Sequence, residues 1–287
     1  MSIANLNPKI SVLLPCLNAE RTIAFAIKSI LQQTESSWEL LILNDGSKDA
    51  TETIAKSYSD PRIRVFSRQP TGGLASGLNY LLSESKGQWI ARMDQDDYAF
   101  PWRLEEQKRY LEEHLEVDLL ATGVLMIGKH NDVLARFPVF ETHEEITAKP
   151  EEGFLLPHPT WMGKRSWFLH WGYQNGCKTE DQELLYRAYR SSRYACLRKV
   201  CLAYSQADLT VRKRLLRRWE FLESIFRKKP GYKALAQKSF TWAYKSCIDL
   251  IFFGTGQGET LLKLWGTPAD PNDFVSWSQL KQDLGIL

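Results

Sequence analysis

Residues 10–49 read "ISVLLPCLNAERTIAFAIKSILQQTESSWELLILNDGSKD", and the fold turns on how this stretch is parsed. "ISVLLP" and "WELLIL" are nearly unbroken apolar runs bounded by polar residues, the pattern of strands buried on both faces. Between them Ile23, Ile27, Ile30 and Leu31 recur at helical spacing. This predicts a helix over Ala19–Gln33, with Asn18 as its N-cap and Glu20 at the positive end of its dipole. Strand, helix and strand at these lengths make a crossover between parallel neighbours.

The alternation continues outward. "NDGSKDATETIAKSY" is a turn entering a helix that Ser47 or Asp49 can cap, and "RIRVF" (62–66) reads as an edge strand. "GGLASGLNYLLSES" (72–85) is helical, "QWIARM" (88–93) is an inner strand, "PWRLEEQKRYLEEH" (101–114) is a helix opened by Pro101, and "DLLATGVLMIG" (118–128) returns to a strand. The expectation is an α/β fold with a mostly parallel, doubly wound twisted sheet flanked by helices. From about residue 130 to 210 the pattern loosens, and from 211 onward it is helical and basic, then aromatic-rich. The predicted organisation is one sheet domain over 1–205 and a helical C-terminal region over 206–287. There is no internal repeat and no low-complexity tract.

The 287 residues are 44% hydrophobic and 25% charged, the balance of a soluble globular protein, and the net charge of +3 excludes binding of polyanions by bulk charge. No nucleic-acid partner is expected. The charge is uneven: residues 211–233 hold nine Lys or Arg against two Glu, a local +7 that leaves the remainder at −4. Five scattered cysteines without a C-x-x-C argue against a disulfide framework or structural zinc and fit a reducing cytoplasm. No stretch approaches the roughly 18 apolar residues of a membrane span.

Parallel sheets take ligands outside the carboxyl ends of their strands. Those ends carry "PCLNAE", "NDGSKD" and, after the fourth strand, "MDQDDY" (93–98). Asp94, Asp96 and Asp97 cannot all be ionised so close together without compensation. A hard divalent cation, Mg²⁺ or Mn²⁺, would supply it, typically shared with substrate phosphates, while the absence of flanking His or Cys disfavours zinc. Asp45, after the second strand, stands where dinucleotide folds hold a ribose. The first βα turn, "PCLNAERT", lacks glycine, which excludes a nicotinamide or flavin fingerprint, and no G-x-x-x-x-G-K-[ST] occurs.

Taken in order, "ISVLLPCLNAERTIAFAIKSILQQT", "WELLILNDGSKDAT", "GGLASGLNYLLSESKGQWIARMDQDD" and "EDQELLYRA" resemble a family 2 glycosyltransferase of the GT-A fold, over about residues 9–190. The resemblance implies an inverting enzyme that takes a nucleoside-diphosphate sugar, most often a UDP-sugar, and a glycan or lipid-linked acceptor. It implies that Asp45 bonds the base, that Asp94 and Asp96 form the D-x-D pair at the ribose and Mn²⁺ or Mg²⁺ with Asp96 as the main metal ligand, and that Asp97 lies nearer the donor sugar. Asp181 matches the family's catalytic base, with Glu180 beside it. Pro15, Asn18 and Glu20 match the loop that frames the base pocket, and the position usually aromatic in that loop is Leu17 here. His158, in "LLPHPTW", matches a histidine that some members turn toward the acceptor or diphosphate. Bacterial surface polysaccharide assembly is the implied setting.

Each assignment has a plainer counterpart. Asp181 is also an acid at a helix start, where acids are favoured anyway. Lys48, Arg92 and Arg165 are candidate phosphate partners but read first as surface charges. "VRKRLLRRWEFLESIFRKK" places Leu215, Leu216, Trp219, Leu222 and Phe226 among arginines, which suits either a helix packed on the sheet domain or one drawn to the anionic inner face of the cytoplasmic membrane. An aspartyl phosphotransferase would carry its D-x-D after the first strand. A non-catalytic nucleotide-sugar or glycan-binding module would have no need of both the D-x-D and Asp181.

Overall fold

The computed structural model describes residues 8–69, 72–206, 210–227 and 232–286. In chain order its elements are β1 (Ile10–Cys16), α1 (Ile23–Leu31), β2 (Trp38–Asn44), α2 (Thr51–Lys56), β3 (Ile63–Ser67), α3 (Gly73–Glu84), β4 (Trp89–Arg92), β5 (Tyr98–Ala99) and α4 (Arg103–Glu113). Then follow β6 (Leu119–Ile127), β7 (Val133–Arg136), α5 (His143–Ile146), β8 (Met162–Lys164), α6 (Arg165–Trp171), α7 (Glu180–Ala188), β9 (Tyr194–Ser205), α8 (Val211–Arg227), α9 (Tyr232–Gly254), α10 (Gly258–Trp265) and α11 (Pro271–Leu284).

One nine-stranded sheet runs β3-β2-β1-β4-β8-β6-β9-β5, with β7 paired to β6. The first four strands in that order are parallel, as the crossover pattern requires, and β3 is the edge. Beyond β4 the sheet is mixed: β8 is antiparallel to both β4 and β6, and β5 to β9, while β6 and β9 are parallel. The sequence pattern does not show β5, β7, β8 or β9; the first three, at two to four residues, lack both a period-2 signature and the flanking apolar run that marks β4.

Alternation along β1 builds a core on each face. Ile10, Val12 and Leu14 pack with Ile23 and Ile27 of α1 and Leu104 of α4. Leu13 packs on the other side with Leu78 and Leu81 of α3, Phe168 of α6 and Leu184 of α7. The last helices are fastened to the same sheet. Trp277, Leu280 and Leu284 of α11 share a cluster with Phe100, Leu125, Ile127 and Ala203. Asp273, within the capping box that opens α11, takes both Nε and Nη2 of Arg136 at 2.5 and 2.9 Å. Burying a ring the size of Trp277 is worth about 2–3 kcal/mol. Helices α8 and α9 are joined by Arg214 to the fully buried Asp249 at 2.9 Å.

The first helix departs from its expected start. α1 begins at Ile23 with Thr22 as N-cap, and Asn18 does not cap it. Asn18 instead adopts a left-handed φ of 50°, which Asn tolerates better than most residues. It uses its side chain elsewhere, as the site makes clear.

Candidate active site

Two loops meet at the carboxyl ends of β1 and β2. The Asn18 amide donates to Ser47 Oγ at 2.9 Å, and Asn18 Oδ1 accepts from the Lys48 amide at 2.9 Å. The Glu20 amide donates to Asp49 Oδ2 at 3.1 Å, and Glu20 Oε2 accepts from the Ala50 amide at 3.2 Å. Glu20 therefore serves the entry of α2, not the dipole of α1. Asp49 also accepts from the Thr51 amide at 3.0 Å, although Ala50, not Ser47 or Asp49, stands at the N-cap of α2. These reciprocal bonds hold the "PCLNAE" and "NDGSKD" loops as one unit. Pro15 lies in β1 opposite Leu43.

Asp45 follows β2 and is not alone. Arg68, just past β3, donates through Nε to Asp45 Oδ1 at 2.8 Å and lies 5.6 Å from the Tyr80 ring centroid. A second arginine anchors the acidic turn. Arg92, the last residue of β4, is 3% exposed and pairs with Asp94. Burial works against its charge, but Asp94 beside it, with Tyr173 and Asp97 further off, holds the guanidinium firmly protonated. Its Nε and Nη1 are buried without a partner. Arg92 is thus not a surface charge. Arg165 bonds Ser85 and Lys48 is exposed.

The three aspartates have different surroundings. Asp94 and Asp96 stand half-buried on the turn. Asp97 is fully buried, its Oδ1 accepts from the Ser205 amide at 3.0 Å, and its Oδ2 has no partner. Burial first, then the neighbouring Asp94 and Asp96 charges, push Asp97 well above the carboxylate range. The crowding in "MDQDDY" is therefore relieved within the protein: Arg92 compensates Asp94, and Asp97 is driven toward its neutral form. Repulsion alone does not demand a cation. Gln95, between Asp94 and Asp96, carries no sequence signal, yet it takes both backbone groups of the exposed Leu17, at 2.7 and 3.2 Å. It joins the acidic turn to the first loop.

The downstream motif arrives from the other side. Glu180 and Asp181 open α7, with Glu183 also in the first turn, where the helix dipole favours carboxylates. Glu180 is buried, and burial, then the Asp181 charge, push it up to about 7. Asp181 is half-buried and accepts from Gln182 at 3.3 Å. His158 sits behind them, buried, with Nε2 at 3.0 Å from the Tyr173 hydroxyl and Nδ1 at 3.9 Å from Glu180 Oε1. Burial, then the Arg92 charge, lower its pKa well below the usual value and favour the neutral ring. Tyr173 has no motif to mark it; only its contact with His158 reveals it.

Asp94 and Asp96 offer hard oxygen ligands, and two carboxylates completed by substrate phosphates are a common form of Mg²⁺ site, so the pair fits such an ion. Among the described residues no three His, Cys, Asp or Glu side chains converge as a ready-made metal cage.

The family model "Glycosyl transferase family 2" matches residues 11–171, the whole span from β1 to the end of α6. The chain belongs to glycosyl transferase family 2. This family 2 glycosyltransferase is 30% identical over 249 residues to EpsE of Bacillus subtilis, which carries a glycosyltransferase name, covering 85% of this chain and 81% of EpsE. It is 32% identical over 184 residues to the O-antigen biosynthesis glycosyltransferase WbnJ of Escherichia coli, covering 62% and 70% of the two chains. Its fold resembles residues 1–349 of S. aureus TarS in complex with UDP-GlcNAc, with a TM-score of 0.58 at 18% identity over 96% of this chain and 80% of that one. It also resembles the mannosyltransferase PcManGT of Pyrobaculum calidifontis in complex with GDP-Man and Mn²⁺, with a TM-score of 0.60 at 14% identity over 97% and 86%. The glycosyltransferase therefore has the GT-A type of curled, mixed sheet. Among the described residues no helix is long and apolar enough to cross a membrane.

Proposed function

We propose that this glycosyltransferase transfers a sugar, with inversion, from a nucleoside-diphosphate sugar to a hydroxyl of a glycan or lipid-linked acceptor. The observation that carries the reading is the convergence on buried Arg92 of the D-x-D turn and, at longer range, of the Glu180–Asp181 helix start. A UDP-sugar is the donor we favour, since TarS is solved with UDP-GlcNAc and the relative WfgD of Escherichia coli is named as a UDP-Glc-dependent glucosyltransferase acting on a diphosphoundecaprenol-linked sugar. Names of this kind also support a surface polysaccharide setting.

In this reading Asp45, held by Arg68, meets the base, and the Pro15, Asn18 and Glu20 loop closes the pocket. Asp94 faces the ribose. Asp94 and Asp96 hold Mn²⁺ or Mg²⁺, which as a Lewis acid would stabilise the departing diphosphate. Asp181 takes the proton of the attacking hydroxyl, a task that needs a carboxylate reachable from solvent and acceptor. Glu180 and His158, both buried, line the wall behind it. A screen of UDP-glucose, UDP-N-acetylglucosamine and GDP-mannose for nucleoside diphosphate release, with Mn²⁺ and with EDTA, tests the whole reading. Release that EDTA stops supports it; no release with any donor favours a non-catalytic sugar-nucleotide binder.

Peripheral membrane contact belongs to the same reading. On α8 the exposed Arg212, Leu216 and Trp219 fall on one stripe. The side chains of Arg217, Arg218, Leu222 and Phe226, and the residues Lys228 and Lys229, lie outside what is described. The full chain should float with anionic vesicles and Trp219→Glu should float less; equal flotation removes α8 from the contact.

A further inference from the structure

Helix α3 touches both halves of the site. Gly77 packs against the nucleotide side: a Cβ there would lie 3.6 Å from Pro15 Cβ and 3.7 Å from Arg68 Nη2. Two residues on, Asn79 reaches the acceptor side. Asn79 Oδ1 accepts from the Tyr173 amide at 2.9 Å, and Asn79 Nδ2 donates to the Tyr173 carbonyl at 2.7 Å and to Asn175 Oδ1 at 3.1 Å. A side-chain amide that takes both backbone groups of one residue fixes that residue in position and orientation, as a strand neighbour would. The preceding carbonyls are fixed as well. Arg187 of α7 donates to Trp171 O at 2.5 Å and to Gly172 O at 2.7 Å, and Gly172 has a positive φ of 54° that suits glycine.

Tyr173 is thus pinned between α3 and α7, and its hydroxyl meets His158 Nε2. The His158 ring is wedged edge-on against Trp161, with centroids 4.5 Å apart, and its other nitrogen faces Glu180. We propose that Asn79 is a positioning residue for the acceptor-side base: by clamping Tyr173, and through Tyr173 and His158, it sets where the Glu180–Asp181 helix start stands relative to Arg92 and Asp94. The proposal rests on Asp181 being that base. It makes the rate of transfer depend on the helix that also packs the nucleotide pocket, with no contact between Asn79 and the reacting atoms required.

The test compares Asn79→Ala, Asn79→Asp and Tyr173→Phe with Asp181→Asn. Nucleoside diphosphate release from UDP-glucose, UDP-N-acetylglucosamine or GDP-mannose is followed with Mn²⁺, at a temperature where every variant is folded. UDP affinity is measured by calorimetry, and amide exchange is followed across 172–179. Asn79→Ala should lower kcat about 10–100-fold, the cost of a base displaced by roughly an ångström. Donor KM and UDP affinity should stay within about twofold, and exchange at the Tyr173 amide should rise. Asn79→Asp keeps the acceptor for the Tyr173 amide but loses the donor to its carbonyl, so its kcat should fall between. An unchanged kcat in Asn79→Ala, or a loss of UDP affinity matching the loss of kcat, overturns the proposal. If Asp181→Asn is as active as the wild type, it is the base assignment that fails; if Asp181→Asn is inactive and Asn79→Ala is not impaired, only the role of Asn79 fails.

Discussion

Asp45, Arg68, Arg92 and the D-x-D turn stand at the ends of adjacent parallel strands, each delivered by a short strand-to-loop step. His158, Tyr173 and Glu180 come from a 3-10 turn, a loop and a helix start that precede and follow β8 in the chain. On the nucleotide side the fixing contacts run between consecutive loops of one sheet edge: Asn18 to Ser47, Glu20 to Ala50, Gln95 to Leu17. On the acceptor side they run from helix α3 to a loop and from that loop to a buried ring, Asn79 to Tyr173 and Tyr173 to His158. Both halves use side-chain hydrogen bonds, but the first also rests on parallel strands that share an end. The second lacks that support, so single substitutions should move it further.

The largest effects should fall on groups assigned to the chemistry. Asp181→Asn should leave UDP affinity near normal and cut turnover by about 10³, the usual scale for a general base, read as kcat for nucleoside diphosphate release. Asp96→Ala should abolish Mn²⁺-stimulated release while the melting temperature holds, because Asp96 is half-buried on a turn. Full activity in either variant breaks the division into two sides.

Arg92 comes next, since its charge acts on groups of both sides. Removing one partner of a buried ion pair costs about 3–5 kcal/mol, so Arg92→Met should melt far below Arg92→Lys, which keeps a cation for Asp94. Equal melting temperatures would mean that the pair carries little. Gln95→Ala should be milder, raising donor KM about tenfold through a loosened first loop, with kcat nearly unchanged. A fall in kcat at constant KM would place Gln95 with the chemistry instead.

The smallest effect is a pair of opposed pH dependences in the acceptor wall. Glu180 is raised to about 7 in the folded chain, so its burial costs stability progressively as pH rises from the unfolded carboxylate range to about 7. His158 is lowered in the fold, so stability is lost as pH falls below the ordinary histidine value of about 6.5. Glu180→Gln should therefore gain melting temperature relative to the wild type as pH climbs from about 5 to 8. His158→Gln should gain as pH drops through about 6. Parallel curves for wild type and both variants would show that neither group is perturbed.

Much of the nucleotide side was legible in the sequence. The strands before Asn18, Asp45 and Asp94 are long apolar runs, and a parallel sheet must bring their carboxyl ends to one edge. Arg92 reads as a surface charge because one arginine at the end of an apolar run looks like a boundary residue; in the fold it is buried, pairs with Asp94 and bonds the Trp161 carbonyl through its amide. Asn18 reads as an N-cap because Asn before a helical pattern favours that role, whereas in the fold the second loop takes its side chain. Tyr173 and Asn79 left no signal, since a tyrosine in a loop and an asparagine in a helix are ordinary.

What the sequence alone determined is the order and type of the elements from β1 to β4, then α4 and β6, and the gathering of carboxylates at the ligand edge. Both follow from local periodicity and from the rule that parallel strands share an end. Tertiary structure decided the pairings of β5, β7 and β8, the upward shift of Asp97, the downward shift of His158 and the clamp on Tyr173. Each of those depends on which groups are driven from water together, and that is a property of packed neighbours, not of spacing along the chain.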